Sequence, residues 1–240
     1  MTQEVLEKLY ETASGAGRLL ILPHNDPDPD AIASAVALGY LLAERLGMES
    51  RIAYQGIIGR AENKVLVRYL DHPLEPLIDA DLQQCPCLAL IDAQPGAGNI
   101  TLPPGARVAM VIDHHAWRTE TATASFADVR PGLGATSTIL TQYLQAAGVE
   151  PPLSLATALF YGIKIITMGL GRDTSPADAA AYSYLQPRID VEALAKIEHA
   201  QIPADYFRSF DATLRAARMY DGLIVAYIAV LSYPDLAAEM

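Results

Sequence analysis

His24-Asn25-Asp26-Pro27-Asp28-Pro29-Asp30 sets one imidazole and three carboxylates in a single short stretch. A mainly apolar run over 18–22 leads into it, with no turn residue before Pro23. Ala31-Ile32-Ala33-Ser34-Ala35-Val36-Ala37-Leu38 follows, rich in Ala and aliphatic residues at helical spacing. The order reads strand, loop, helix. Carboxylates this close repel one another, and leaving them unpaired in a cleft costs on the order of several kcal/mol. A divalent cation removes that cost. Oxygen-rich sites with one or two imidazoles suit Mn²⁺ or Mg²⁺, whereas a structural zinc site wants thiolates. The other reading of the same stretch is a solvated turn in which Asp28 or Asp30 caps the following helix.

At 240 residues the chain can bury a full core, as one large domain or two small ones. With 51% hydrophobic and 19% charged residues it belongs with globular chains. The 28 acidic residues outnumber the 17 basic ones, for a formal net charge of -11. Such a chain is a poor general binder of nucleic-acid backbone, where affinity grows with the phosphates neutralised. A local basic pocket is compatible with that balance, and bound metal ions add positive charge of their own. Cys85 and Cys87 are the only cysteines, and one residue separates them. That frame fits neither a disulfide scaffold nor a four-thiolate zinc site, so both read as reduced and half-buried. The start of the chain carries Glu4, Glu7 and Lys8 and does not look like a secretory leader. No apolar run reaches the roughly 18 residues of a membrane span. A soluble cytoplasmic protein without membrane contact is expected, and a homodimer is left open.

Along the chain, helices are expected over 2–14, 30–46 and 61–70, and strands over 18–22, 50–54, 87–91 and 106–112. Strands alternating with helices imply a three-layer α/β fold, a mainly parallel sheet flanked by helices. Ligands of such sheets bind outside the carboxyl ends of the strands. Three apolar strands end in metal-competent residues: the first at His24 and the acidic loop, the third at Asp92, the fourth at Asp113-His114-His115. Parallel strands bring those ends to one edge, so a shared metal site is the economical reading. Beyond it the chain turns helical, over 177–185, 191–200 and 204–220, punctuated by Pro187 and Pro203. A last strand is expected over 223–231, then a turn at 233–235.

Four motifs also carry a resemblance: His24-x-x-x-Asp28-x-Asp30-Ala31, Leu90-Ile91-Asp92, Asp113-His114-His115, and Gly134-Ala135-Thr136-Ser137-Thr138 opening a helix. In this order, between about residue 18 and about residue 190, they resemble the DHH family of RecJ-like phosphoesterases. The resemblance implies a Mn²⁺-dependent phosphoesterase or exonuclease-type hydrolase, with Mg²⁺ as an alternative and one or two ions. It implies His24 and Asp28 on one ion, Asp30 and His114 on the other, and Asp92 bridging them. His115 would touch the substrate phosphate, and Asp113 would orient a metal-bound imidazole. Asn99 is either a phosphate donor or a plain turn residue, and Arg172 either a phosphate contact or a surface residue.

Two departures qualify the resemblance. The family's Gly-Ile-x-Thr-Asp-Thr motif, with its metal-binding Asp, here reads Gly162-Ile163-Lys164-Ile165-Ile166-Thr167. Ile166 cannot bind a cation. Asp173 could substitute, or could simply belong to the start of the helix that follows. The family's Gly-Gly-Gly-His-like motif of a C-terminal domain is also not found. The division expected is therefore a catalytic domain over 1–190, then a helical linker over 191–240 leading to a C-terminal domain cut off or missing. Two functions follow: hydrolysis of a phosphodiester or phosphomonoester of a nucleotide or short oligonucleotide, or nucleotide binding by a relative whose chemistry is impaired at Ile166.

Overall fold

A computed structural model describes residues 3–85, 87–102 and 105–228, together with Leu236. The chain opens with α1 (Gln3–Ala16), β1 (Leu19–Pro23), α2 (Pro29–Leu46), β2 (Arg51–Tyr54) and α3 (Ala61–Tyr69). It continues with β3 (Glu75–Pro76), α4 (Asp79–Gln84), β4 (Cys87–Ile91), β5 (Arg107–Asp113) and β6 (Phe126–Val129). The remainder is α5 (Thr136–Ala147), α6 (Leu153–Ile166), α7 (Pro176–Leu185), α8 (Val191–Glu198), α9 (Ala204–Ala216), β7 (Arg218–Tyr220) and β8 (Leu223–Val225).

Strands β1 to β6 form one parallel sheet in the order β3-β2-β1-β4-β5-β6. Side chains alternate between two cores, as a strand buried on both faces requires. Leu19, Ile21, Cys87, Ala89, Ile91, Met110 and Ile112 face the core shared with α1, α2, α5 and α6. Leu20, Leu22, Leu88, Leu90 and Val111 face a smaller core that includes Cys85 and Ala93, with Leu82 of α4 packed against it. The helical layer is thus thick on one side and thin on the other. Cys85 and Cys87 are both buried and free.

The register decides what stands at the carboxyl edge. Pro23 pairs with Ile91, and Ile91 pairs with Ile112. One residue further along each strand lie His24, Asp92 and Asp113. The chain also reverses its direction of travel across the sheet between β1 and β4, which makes that edge the topological switch point.

Several elements differ from the sequence expectation. β3, α4, β6 and α6 were not expected. α6 is buried on most of its circumference, so it shows none of the one-sided periodicity that marks a surface helix. α9 stops at Ala216, and Arg218–Tyr220 pairs antiparallel with Leu223–Val225 as a short exposed hairpin. The strand expected over 223–231 is thus three residues long among the described residues. Positions 229–231 and the turn at 233–235 lie outside them. No helix among the described residues is long and apolar enough to cross a membrane.

Candidate metal centre

The three carboxylates of the opening stretch do not crowd one cation; the backbone sends them three ways. Asp26 sits at φ 53° and accepts from the Ile57 amide at 2.7 Å, which ties the loop to the end of β2. Gly56 makes that approach possible, because a Cβ there would lie 2.4 Å from Asp26 Oδ1. Asp28 is the N-cap of α2, with Oδ1 accepting from Ala31 N at 2.9 Å and Pro29 at the first helical position. Asp30 is fully buried, and its two oxygens accept from Thr136 N at 2.8 Å and Ser137 N at 2.7 Å. It therefore caps α5, a helix whose own N-cap, Ala135, has no side-chain acceptor.

Two imidazoles are held with one nitrogen inward. His24 Nδ1 donates to Asn25 O at 2.7 Å, and His114 Nδ1 donates to Leu133 O at 3.1 Å. Each ring thereby turns its Nε2 lone pair toward buried Asp92, as the ligand histidines of metal sites do. His24 Nε2 lies 3.7 Å from Asp92 Oδ2 and 3.7 Å from Asp28 Oδ1, and His114 Nε2 lies 3.5 Å from Asp92 Oδ1. These gaps are too long for good hydrogen bonds. They approximate the edge between two ligand atoms that each sit about 2.1 Å from one cation. Lone pairs and carboxylate oxygens facing one another repel until a cation stands between them, so this donor set fits a divalent ion. Asp92 itself adopts φ 56°, a left-handed conformation costly for a residue with a side chain, and its Oδ1 also accepts from Thr136 Oγ1 at 2.8 Å.

The donors fall into two groups that share Asp92: His24 with Asp28, and His114 with His115. Asp30 stands outside both among the described residues, although the resemblance pairs it with His114. Asp113 also takes a different partner from the one expected. Its Oδ1 accepts from His115 Nδ1 at 2.8 Å, so it orients the imidazole facing the cleft rather than His114. Its Oδ2 accepts from Gln94 Nε2 at 2.6 Å. Gln94 is buried and uses its whole amide: Nε2 also donates to Ala116 O, and Oε1 accepts from Arg118 N and Thr121 Oγ1. Sequence reasoning missed Gln94 and the Thr136 hydroxyl. Thr136 sits within a motif already singled out, and Gln94 lies two residues beyond the Leu90-Ile91-Asp92 motif.

The cleft over this edge measures about 600 Å³, and His24, Asp28, Asp92, Asn99, His114, His115, Ile166, Arg172 and Asp173 all border it. Asn99 Nδ2 donates to Asp92 O at 3.3 Å, while its buried Oδ1 has no donor among the described residues. Ile166 presents an apolar side chain to the same cleft. Arg172 Nη2 donates to Ile166 O at 3.1 Å. Asp173 is mostly exposed, lies near Arg172, and joins neither donor group.

Charge follows from this packing. Burial, then the Asp30 and Asp28 charges, pushes the Asp92 carboxyl up to about 7, against the pull of His114 and His24. Burial opposes a charged His24, but Asp28 and Asp92 outweigh it and raise the ring to about 10. A proton therefore fills the gap that a cation would otherwise take, and the two compete for it. The Asp113 hydrogen bond raises His115 to about 9 despite burial, so that exposed ring is a cation at neutral pH.

Residues 18–163 match the family model described as DHH family, N-terminal domain. An uncharacterized protein of Methanocaldococcus jannaschii is 43% identical over 232 residues, 96% of this chain and 47% of that protein. A probable manganese-dependent inorganic pyrophosphatase of Streptococcus agalactiae is 27% identical over 161 residues, 67% of this chain and 51% of that one. The chain thus spans about half the length of the curated relatives it matches. The crystal structure of an exopolyphosphatase-related protein from Bacteroides fragilis superposes with a TM-score of 0.63 at 16% identity, covering 91% of this chain and 67% of that one, which shows a shared fold. The edge motifs, their register and the family match agree: this chain belongs to the DHH family.

Proposed function

We propose that the chain is a metal-dependent phosphoesterase, hydrolysing a phosphodiester or phosphomonoester of a nucleotide or short oligonucleotide. The observation that carries it is the pair of imidazoles, each locked by a backbone carbonyl so that its Nε2 faces Asp92. His24, Asp28, Asp92 and His114 would hold Mn²⁺ or Mg²⁺. Bound there, such an ion supplies Lewis acidity and an acidified water. His115, cationic and 57% exposed, meets the phosphate and stabilises charge that develops on its oxygens. Asp113 and Gln94 fix the angle of that ring. Arg172 and Asn99 border the same space and suit phosphate oxygens as donors. The relatives named as probable manganese-dependent inorganic pyrophosphatases support the ion and hydrolysis at phosphorus, although the bond in pyrophosphate is an anhydride and not an ester.

The test is turnover of a generic aryl phosphodiester with added Mn²⁺, in wild type and in Asp92→Ala. Hydrolysis that vanishes with Asp92 supports the reading; hydrolysis that persists in Asp92→Ala ends it. A second reading has one observation in its favour. Ile166 puts a hydrocarbon group on the cleft wall, in the place of the metal-binding Asp of the family motif. Tight nucleotide binding with no turnover by wild type would place the chain among impaired, nucleotide-binding members.

A further inference from the structure

The acidic surface contains one concavity of opposite character. A pocket of about 500 Å³ lies between α3 and the end of α8, and Lys64, Arg68, Lys196 and His199 line it together with small and apolar side chains. Among the described residues no carboxylate lines it, although the chain carries 28 acidic residues against 17 basic ones.

The helical geometry shows why the charges converge. Asn63, Leu66 and Val67 form the buried stripe of α3, and Ala61, Lys64, Val65 and Arg68 form the adjoining stripe toward the pocket. On α8, Ala193, Leu194 and Ile197 are buried, which leaves Lys196 and His199 on the pocket side. The nearest acid on that helix, Glu198, is paired with Lys164 of α6. Among the described residues no ion pair engages Arg68 or Lys196. A basic residue in the last turn of a helix offsets the helix dipole, and that accounts for Arg68 or Lys196 singly. It does not account for two helices directing such residues into one concavity whose described lining holds no acid.

We propose that this pocket is a second anion site, built for the phosphate groups of a phosphate-rich polyanion. Multiple fixed cations around a concave surface suit several phosphates better than one carboxylate ligand. The site lies outside the metal cleft, yet both its walls are tied to the cleft rim. Asn63 of α3 donates to Pro27 O in the acidic loop at 3.3 Å, and Lys164 sits two residues before Ile166 on α6. The occupant is either the distal part of a substrate too long for the cleft or a separate phosphate-bearing effector. In both cases the recognition chemistry is the same.

The test is calorimetric titration of the chain with inorganic tripolyphosphate in EDTA, so that no metal at the cleft contributes. Binding is expected to be salt-sensitive and about tenfold weaker in Arg68→Glu/Lys196→Glu, with an intermediate loss in Arg68→Ala/Lys196→Ala. Both positions are exposed, and unchanged Mn²⁺ binding by each variant checks that the fold is intact. Substrate use of the pocket predicts a raised KM for an oligonucleotide and an unchanged KM for a small aryl phosphodiester. Effector use predicts that tripolyphosphate alters the rate on the small substrate in wild type only. No binding by wild type, or equal binding by wild type and charge-reversed variant, overturns the proposal. Failure of hydrolysis in every protein would overturn the phosphoesterase reading and leave this one standing.

Discussion

The two halves of the metal centre share Asp92 and are built in opposite ways. The His24 half is local. His24 leans on the carbonyl of its neighbour Asn25, and Asp28 is fixed by capping its own helix α2. The His114 half is assembled from distant segments. Its ring needs the Leu133 carbonyl, Gly134 next to it is held by Asp178 of α7, and Thr136 of α5 engages the Asp92 oxygen on that side. The halves also differ in donors to spare. On one side meet His24 Nε2, Asp28 Oδ1, which also accepts from Ala31 N, and Asp92 Oδ2, which the Thr136 hydroxyl leaves open. On the other, His115 Nδ1 is spent on Asp113, and Asp92 Oδ1 already accepts from Thr136. The lesson is that two donor groups sharing one carboxylate need not be equal, so cations held there would meet a stronger and a weaker position.

The sharpest way to break this comparison is to remove what the halves share. Asp92→Ala is expected to abolish Mn²⁺ binding at both positions and to lower turnover by about a thousandfold or more, on the order of 4 kcal/mol of transition-state stabilisation. Electron paramagnetic resonance of bound Mn²⁺ and a steady-state assay check it. A variant that still binds the ion with wild-type stoichiometry would show that Asp92 is not the bridge.

The next test separates the halves. His24→Ala is expected to weaken the tighter Mn²⁺ by about a hundredfold, and His114→Ala by about tenfold, in line with the unequal donor sets. Calorimetry reads both. The reverse order would mean that donor count does not set affinity here.

The same contrast explains how much was legible before any coordinates. The layout of the His24 half could be read, because strand end, imidazole and cap lie within one stretch and the cap signal Asp28-Pro29 is chemical. The edge as a whole could also be read, since three apolar strands ending in His or Asp needed only parallel pairing to converge. What escaped was non-local. Nothing near Asp30 in the chain announces that its oxygens cap α5, whose first residues lie more than a hundred positions away. Nothing near Asp113 announces that Gln94 will spend its whole amide holding it. α6 was missed because burial on several sides erases periodicity, and α9 was read too long because its apolar stripe runs on into a hairpin.

Asp178 probes the assembled half through stability. It is buried and accepts from Gly134 N at 2.8 Å, Thr138 Oγ1 at 2.6 Å, Ser175 N at 2.8 Å and Ser175 Oγ at 2.6 Å. Burial works against its charge, but these donors prevail and hold its carboxyl below the usual range. A carboxyl with a lowered folded pKa contributes stability that is present above its unfolded value, about 3.9, and lost as pH falls through the folded value. Asp178→Asn is expected to cost about 1.5–3 kcal/mol at pH 7 and to flatten the acid side of the stability curve. Denaturant unfolding at pH 7 and pH 3 tests both parts. Mn²⁺ affinity at the His114 half should fall with it, and the His24 half should be unaffected. Equal losses at both halves would show that the loop before α5 supports the whole centre.

The smallest expected effect is a gain. Ile166 borders the cleft and stands where the family motif has a metal-binding Asp, so Ile166→Asp offers the weaker position an oxygen ligand. Asp is smaller than Ile, and the position is only half-buried, so neither packing nor desolvation stands strongly against the change. Arg172 limits the benefit, because its guanidinium already donates to the Ile166 carbonyl and would draw the new carboxylate toward itself. A few-fold tightening of the second ion, about 0.5–1 kcal/mol, is therefore expected from Ile166→Asp alone. A larger gain is expected when Arg172→Ala accompanies it. Calorimetric titration with Mn²⁺ resolves the two steps. If neither variant changes the second step, the weakness of the His114 half comes from Asp113 engaging His115 and Thr136 engaging Asp92, not from the hydrocarbon at position 166.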